Sequence, residues 1–435
     1  MKTSKQPGQI VNTVLEHLRQ KDAGVASCRA YEERTREINV DANAFSLMRT
    51  TFDRSVEISV YPGGKKGSVT VGSFDETDIL RAAEDCLAAA EEAEADDAWQ
   101  LEDRAGHQSF SDGVPEGDID MLFQRVKELL EQIKREFPKI VIEQLVADHV
   151  LRNEYYGNSH GVSYERVLGA YHLWFMFTAQ EDGKVTGYNY SNITTESLDK
   201  PLMDCGMIRQ SLEDTERQLN PVPMEDRFTG TVLLTPKIAR EIIGEALYQF
   251  TFDRALLTGN SVWKEKLGQK VADQRLTVSL KPRDKSVVCG ARYTAEGYPA
   301  EDFDVIRNGV LNSFCLTKYA ANKTGNERAG NNSFDLVIAP GSCPLKNLLS
   351  SIEKGLYVDG YSGGEPGPDG TFSAVAKNSF LIENGSITHP VTETMISGNL
   401  AEMLCSLRDL SAEQMEDGEG SVPYMAFDGL LISGR

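Results

Sequence analysis

The stretch 231–259 constrains the fold of this chain more than any other part of the sequence. The apolar run 232–234 predicts the end of a buried strand. Thr235 is a favourable helix N-cap residue, and Pro236 takes the first helical position, where a missing N–H costs nothing. Apolar residues then recur at steps of three and four: Ile238, Ala239, Ile242, Ile243, Ala246, Leu247 and Phe250. We therefore predict a strand that leads directly into an amphipathic helix.

The polar face of this predicted helix carries two carboxylates one turn apart, Glu241 and Glu245. Paired carboxylates can act as general acid and base when one raises the pKa of the other. The alternative is a solvated face on which Lys237 pairs with Glu241. Gly244 lies between them, and a glycine inside a helix costs about 1 kcal/mol relative to alanine. We expect either the history of the site or its neighbours to explain that glycine.

The segment 244–249, Gly-Glu-Ala-Leu-Tyr-Gln, resembles the register in which zinc-bearing members of the TldD/PmbA family carry His-Glu-x-x-x-His. Here Gly244 and Gln249 replace the two histidines, while Glu245 retains the glutamate. The resemblance continues to the C-terminus through short motifs in the same order, at 296–297, 306–311, 382–387, 396–399 and 429–434. The pattern resembles the PmbA (TldE) branch of the family, which lacks the metal motif.

The resemblance implies that this chain is not itself a zinc peptidase. The zinc-bearing relatives use a third ligand, a cysteine close to the C-terminus, but here the last cysteine is Cys405 and the corresponding segment 416–420 has none. None of the six histidines, at positions 17, 107, 149, 160, 172 and 389, lies on the predicted helix. We therefore expect no metal and no other cofactor.

The function that the resemblance implies is that of a non-metal subunit of a TldD/TldE-type peptidase complex, acting in proteolysis or peptide maturation. Its partner would be a homologous zinc-bearing TldD-like subunit or a second copy of the chain, and its ligand an extended peptide. A long glycine- and proline-rich loop at 361–370 offers backbone groups to such a peptide. We predict peptide binding by Glu245, Gln249, Gly363 and Gly364, with no catalytic residue assigned.

Two other functions remain open at this stage: a stand-alone hydrolase without zinc, and a purely structural homodimer. The hydrolase would use the Glu241/Glu245 pair or Ser159, because 157–161 matches the G-x-S-x-G spacing of a nucleophile elbow. The next residues, 162–167, alternate like a strand, so a β-turn is the better interpretation. His149, His160 and His172 fall in the same strand-rich stretch, and we interpret them as sheet residues without a metal.

Charge and composition limit the partners and the compartment. The chain has 66 acidic and 45 basic side chains among 435 residues, a net charge of -21, which repels phosphate backbones. We therefore expect no direct nucleic-acid binding. The family resemblance also implies modulation of DNA gyrase, and the charge of this chain does not support that role. Seven scattered cysteines without a Cys-x-x-Cys pair favour a reducing, cytoplasmic setting. Residues 1–7 precede no apolar segment typical of a signal peptide, and we expect no membrane association.

The order of patterns predicts an α+β fold. We predict an N-terminal α/β domain at 1–104, a middle region of one helix and a strand meander at 117–220, and a β-rich C-terminal domain at 227–435 with one central helix. An acidic and then polar stretch, 91–117, is interpreted as a surface connection. A second helix is expected at 345–354.

Overall fold

Two large β-sheets organise the chain, and helices cover parts of their faces. The computed structural model describes residues 6–434. Most of the N-terminal segment on which the signal-peptide expectation rests, residues 1–5, lies outside the described residues. The helices within this range are α1 (Pro7–Gln20), α2 (Glu76–Glu92), α3 (Ile119–Glu136), α4 (Ile208–Arg217), α5 (Pro236–Thr251), α6 (Asp253–Leu257), α7 (Lys318–Thr324), α8 (Leu345–Ser350) and α9 (Leu400–Cys405).

The strands of the first sheet are β1 (Ala26–Asp41), β2 (Ala44–Val60), β3 (Gly67–Val71), β4 (Gly106–Gly113), β5 (Ile140–Asn158), β6 (Val162–Glu181), β7 (Lys184–Val185) and β8 (Asn189–Thr195). The strands of the second are β9 (Val222–Pro223), β10 (Arg227–Leu234), β11 (Val278–Leu280), β12 (Phe303–Arg307), β13 (Val310–Leu311), β14 (Leu336–Ile338), β15 (Lys354–Ser362), β16 (Thr371–Glu383), β17 (Ser386–Thr392), β18 (Met395–Asn399), β19 (Leu407–Glu416) and β20 (Gly420–Ser433).

The first sheet runs through both the N-terminal and the middle predicted units. Its strand order is β3-β2-β1-β5-β6-β4, with β7 and β8 also paired to β6. The stretch 91–117 is only partly the predicted surface connection, because β4 lies within it and pairs in parallel with β6. The sequence analysis did not predict β4, because its side chains are mostly polar and an edge strand needs few buried residues. The proposed division at 104–117 stays a prediction.

Two separate apolar cores lie along this long sheet. One is formed by α1 and α2 against β1 to β3, with Ile10, Val56 and Ile79 at its centre. The other is formed by α3 and α4 against β5, β6 and the far end of β1, with Leu129 and Phe175 among its buried residues. The sheet therefore joins two helix-covered halves.

The second sheet makes the C-terminal region β-rich, with α5 as its longest helix among the described residues, which confirms the predicted α+β class. The central strand β10 pairs in parallel with β15 and antiparallel with β20. The predicted helix at 345–354 is shorter than expected, because α8 ends at Ser350 and Lys354 already begins β15.

Helix α5 has the structure that its sequence predicts. Its apolar stripe is buried against the second sheet, and Phe250 and Leu247 have no exposed surface. Gly244 is not explained by crowding, since a β-carbon there would meet only Phe334 Cε1, at 3.8 Å. The neighbours of Gly244 therefore do not require a glycine, and of the two expected explanations the history of the site stays a prediction.

Gly244→Ala should stabilise the protein by about 0.5–1 kcal/mol, because alanine lowers the entropy cost of the helix and fits without strain. Urea unfolding monitored by circular dichroism measures the change. Gly8→Ala in α1 is the matched control: a β-carbon there would lie 3.1 Å from the Tyr155 ring, so we expect no gain. An unchanged or lower stability of Gly244→Ala would show a constraint that its surroundings do not reveal.

None of the helices formed by residues 6–434 is both long enough and apolar enough to span a bilayer.

Candidate functional site

A cleft runs along the polar face of α5, between strand β8 of the first sheet and the end of β15 in the second. Its volume is about 460 Å³, and it is lined by Tyr188 and Tyr190, by Glu241 of α5, and by the segment Gly360–Ser362. A continuation on the other side of Tyr190 reaches Arg240 and Asp417. Both sheets and α5 therefore contribute to one concave surface.

The floor of this cleft is built on a buried carboxylate, Asp359, which is 1% exposed. Thr235 Oγ1 donates to Asp359 Oδ1 at 2.9 Å, and Asn189 Nδ2 donates to Oδ2 at 3.1 Å. Lys237 Nζ lies 3.4 Å from Oδ2 and 2.8 Å from Asn189 Oδ1. Thr235 occupies the predicted N-cap position of α5, but its hydroxyl donates to Asp359 and makes no capping hydrogen bond to the helix. The network joins β8, β15 and the start of α5.

Glu241 accepts hydrogen bonds from tyrosines. It does not pair with Lys237, the partner that the solvated-face alternative predicted. The Tyr190 hydroxyl donates to Glu241 Oε1, and the Lys237 ammonium lies 4.7 Å from the centre of the Tyr190 ring. Burial, and after it the Glu241 carboxylate, raises the pKa of Tyr190. Burial, followed by Glu241 and Glu245, raises the pKa of Tyr361 to about 12. Both phenols therefore stay protonated at neutral pH.

Arg240 connects α5 to the segment where the resemblance places the cysteine ligand of zinc-bearing relatives. Its guanidinium donates to Asp417 Oδ1 at 2.8 Å and to Glu419 Oε2 at 3.4 Å. Burial, followed by the neighbouring Asp417, raises the pKa of Glu419. A salt bridge thus joins the two elements that would supply metal ligands in those relatives.

The structure brings three of the four predicted peptide-binding residues together. Gln249 Nε2 donates to Glu245 Oε1 at 2.9 Å and to the carbonyl of Pro366 at 3.3 Å. Glu245, Gly364 and Pro366 line a mainly apolar pocket next to the cleft. Gly363 lies at the outer end of β15, where a β-carbon would meet nothing within 4 Å. Their role in binding stays a prediction.

Strand β15 has an unpaired edge beside α5. Its pairing with β10 ends at Val358, because β10 stops at Leu234 and the chain turns into α5. The segment Gly360–Ser362 continues to pair with β16 on the other side. Three residues of extended backbone therefore line the cleft with one edge open, an arrangement that can accept an added strand.

Ser159 lies in a strand-to-strand turn, not in a nucleophile elbow. It separates β5 from β6, and its hydroxyl accepts a hydrogen bond from the N–H of Ala26 at 3.0 Å. The β-turn interpretation is therefore confirmed, and the geometry that a serine nucleophile needs is lacking.

The histidines of this region have separate partners. His149 Nε2 donates to the carbonyl of Val114, His160 Nδ1 lies beside the carbonyl of Glu102, and His172 Nδ1 lies 2.9 Å from Asp148. Burial lowers the pKa of His149. Over residues 6–434, no group of three or more His, Cys, Asp or Glu side chains is arranged to hold a metal ion.

Comparison with known proteins relates this architecture to a family. Residues 228–434 match the model of the PmbA/TldA metallopeptidase C-terminal domain. A metalloprotease PmbA homologue of Haemophilus influenzae is 25% identical over 407 residues, which cover 88% of this chain and 87% of that protein. The C-terminal region of the chain therefore carries a PmbA/TldD-family domain.

Two further proteins are similar to this chain. The structure of TldE from Thermococcus kodakarensis has the same fold, with a TM-score of 0.84, 19% identity, and coverage of 98% of this chain and 99% of that one. A zinc metalloprotease TldD homologue of Saccharolobus solfataricus is 27% identical over 195 residues, 42% of this chain and 44% of that protein. The alignment with a PmbA homologue over most of its length agrees with the predicted branch.

Sequence reasoning missed the residues that assemble the α5 cleft. Asn189, Tyr190 and Asp359 lie far from α5 in the sequence, and each has an ordinary strand context. The one available signal was Asp359, a charged residue inside the apolar run 356–361 of a strand. A charge at such a position requires buried partners.

A second buried carboxylate, Asp214 of α4, supports the strand that carries Asp359. The Tyr357 hydroxyl donates to Asp214 Oδ2 at 3.0 Å. Burial, followed by repulsion from Asp359, raises the pKa of Asp214 from 3.8 to about 6. Between these values the folded chain binds more protons than the unfolded chain, so the contribution of this residue to stability is lost as pH rises through about 6.

Asp214→Asn keeps the side chain neutral at every pH. We expect the variant to match the parent chain at pH 4 and to exceed its free energy of unfolding by about 2–3 kcal/mol at pH 7. Urea unfolding at each pH between 4 and 7 tests this, with the exposed Asp199→Asn as control. A difference between variant and parent that does not change with pH would contradict the assignment.

Proposed function

We propose that this chain is the non-metal, TldE/PmbA-like subunit of a peptidase complex, and that its α5 cleft binds and orients an extended peptide for a zinc-bearing homologue. The observation that carries the proposal is the open edge of Gly360–Ser362 beside α5. A peptide added there gains backbone hydrogen bonds that do not depend on its sequence.

The apolar pocket next to this edge supplies a place for one peptide side chain. Ile242, Val358 and Phe372 contribute to its wall, and Tyr361 lies between the pocket and the cleft. A strand bound along the edge would point alternate side chains to opposite sides, so one of them would reach this pocket. The peptide would then be held by its backbone and by one apolar anchor.

The polar groups of the cleft favour binding over catalysis. Glu241 accepts a hydrogen bond from Tyr190, and Glu245 accepts one from Gln249, so neither carboxylate is left without a donor. A general base must be within hydrogen-bond reach of an attacking water or nucleophile. Ser159, the serine of the G-x-S-x-G match, lies in a turn of the other sheet and does not line the cleft.

An exposed apolar strand supports association with another chain. From Ala44 to Arg54, β2 pairs only with β1, because β3 covers Val56–Val60. Along this edge Phe52 is 72% exposed and Met48 55% exposed. An open apolar edge is a site for pairing with a partner. Two chains of strong negative charge would need such an apolar contact to associate.

The experiment measures cleavage of fluorescein-labelled β-casein by the purified chain, by a homologue that carries the His-Glu-x-x-x-His motif and the C-terminal cysteine, and by their mixture. We expect no cleavage by this chain alone, no stoichiometric zinc in it by elemental analysis, and faster cleavage by the mixture than by the homologue. Glu245→Gln should raise the KM of the mixture a few-fold and leave kcat within a few-fold, because it removes a charge from the cleft but no catalytic group.

Glu213→Gln, on the exposed side of α4, is the matched control and should change neither constant. Cleavage by this chain alone that is abolished by Glu245→Gln or Ser159→Ala would establish a stand-alone hydrolase. A mixture that is no more active than the homologue would overturn the proposed subunit role.

A further inference from the structure

A second cavity lies on the opposite side of the first sheet from its helices, where the segment 291–296 of the C-terminal region packs against β1, β2 and β5. It has a volume of about 290 Å³, and we call it the Trp99 cavity. Its lining includes Trp99, Tyr61, Tyr156 and Tyr293. It shares no residue with the α5 cleft.

Most charged groups around this cavity already have partners. Arg29 Nε donates to Glu154 Oε2 at 3.0 Å, and the Tyr293 hydroxyl donates to the other oxygen of Glu154. Arg166 binds Asp112 at 2.6 Å. These pairs are structural, since each joins two packed elements.

Two opposite charges in the Trp99 cavity lack such partners among the described residues. The Lys66 ammonium makes no hydrogen bond or ion pair there and lies 4.2 Å from the centre of the Trp99 ring. Glu296 Oε2 is buried without a hydrogen bond. The two groups interact electrostatically without forming an ion pair. Burial lowers the pKa of Lys66, and the Glu296 carboxylate acts against that shift.

A third polar group faces the same space. Tyr156 is 2% exposed, and its hydroxyl makes no hydrogen bond of acceptable geometry, although Ser27 and Asn158 lie beside it. Buried polar atoms without partners are uncommon in folded proteins, and here two of them, Glu296 Oε2 and the Tyr156 hydroxyl, line one cavity with the unpaired ammonium of Lys66, an arrangement typical of a ligand-binding site.

We propose that the Trp99 cavity binds a small zwitterion with an aromatic or large aliphatic side chain, such as a free amino acid. Its carboxylate pairs with Lys66, its ammonium group pairs with Glu296, and its side chain packs on Tyr61, Tyr156 and Tyr293. The site is independent of the peptide cleft and does not rest on the function proposed for it.

Isothermal titration of the full chain tests this with three probes. L-phenylalanine carries both charges, L-phenylalaninamide lacks the carboxylate, and 3-phenylpropionate lacks the ammonium group. We expect L-phenylalanine to bind at least tenfold more tightly than either analogue and to change the fluorescence of Trp99. That fluorescence change should be absent in Trp99→Phe.

Two variants assign the contacts. Lys66→Met should weaken binding of L-phenylalanine at least tenfold and leave L-phenylalaninamide unchanged. Glu296→Gln should also weaken binding of L-phenylalanine at least tenfold and leave the affinity for 3-phenylpropionate unchanged. Lys65→Met and Glu301→Gln are controls, because neither side chain lines the cavity. No binding of L-phenylalanine or L-leucine up to 50 mM, equal binding of the three probes, or parent-like binding by both cavity variants would overturn the proposal.

Discussion

The buried carboxylate of Asp359 is the interaction on which the arrangement of the α5 cleft depends. Burying an ion costs several kcal/mol unless it is well paired, and removing one partner of a buried pair typically costs about 3–5 kcal/mol. Asp359 satisfies that requirement with three side chains, Thr235 and Lys237 at the start of α5 and Asn189 of β8. Because these partners come from α5 and from the first sheet, the same contacts that stabilise the charge fix both in relation to β15. The open edge at Gly360–Ser362 begins one residue later, so its position beside α5 follows from this network.

A salt bridge joins α5 to the C-terminal strands. The resemblance to zinc-bearing relatives places ligands on α5 and in the segment 416–420, and here those two elements are joined by Arg240 with Asp417 and Glu419. A metal site stabilises a fold by tying distant segments together, and a largely buried ion pair can do the same without reactivity. The ion pair therefore fixes the position of α5 relative to the C-terminal strands.

The sequence predicted local elements well and long-range contacts poorly. The α5 stripe, its entry from a strand and the turn at Ser159 follow from periodicity and turn chemistry over short windows. The register of 244–249 also singled out Glu245 and Gln249, and Gln249 donates to the carbonyl of Pro366 in the glycine- and proline-rich loop. By contrast, the pairing of Lys237 with Glu241 was wrong, because Asn189 and Asp359 compete for the ammonium group. Strand β4 was missed because an edge strand needs no apolar alternation, and the Trp99 cavity depends on segments more than two hundred residues apart.

Hydrogen exchange measured by mass spectrometry tests the peptide-binding role of the cleft most directly. The mixture of this chain with its zinc-bearing homologue is used, after the motif glutamate of the homologue is changed to glutamine so that β-casein stays intact. The account predicts that saturating β-casein slows amide exchange in the segment 359–364 and in β8, because an added strand covers that edge. Unchanged exchange in both segments, with protection confined to other parts of the chain, would contradict it.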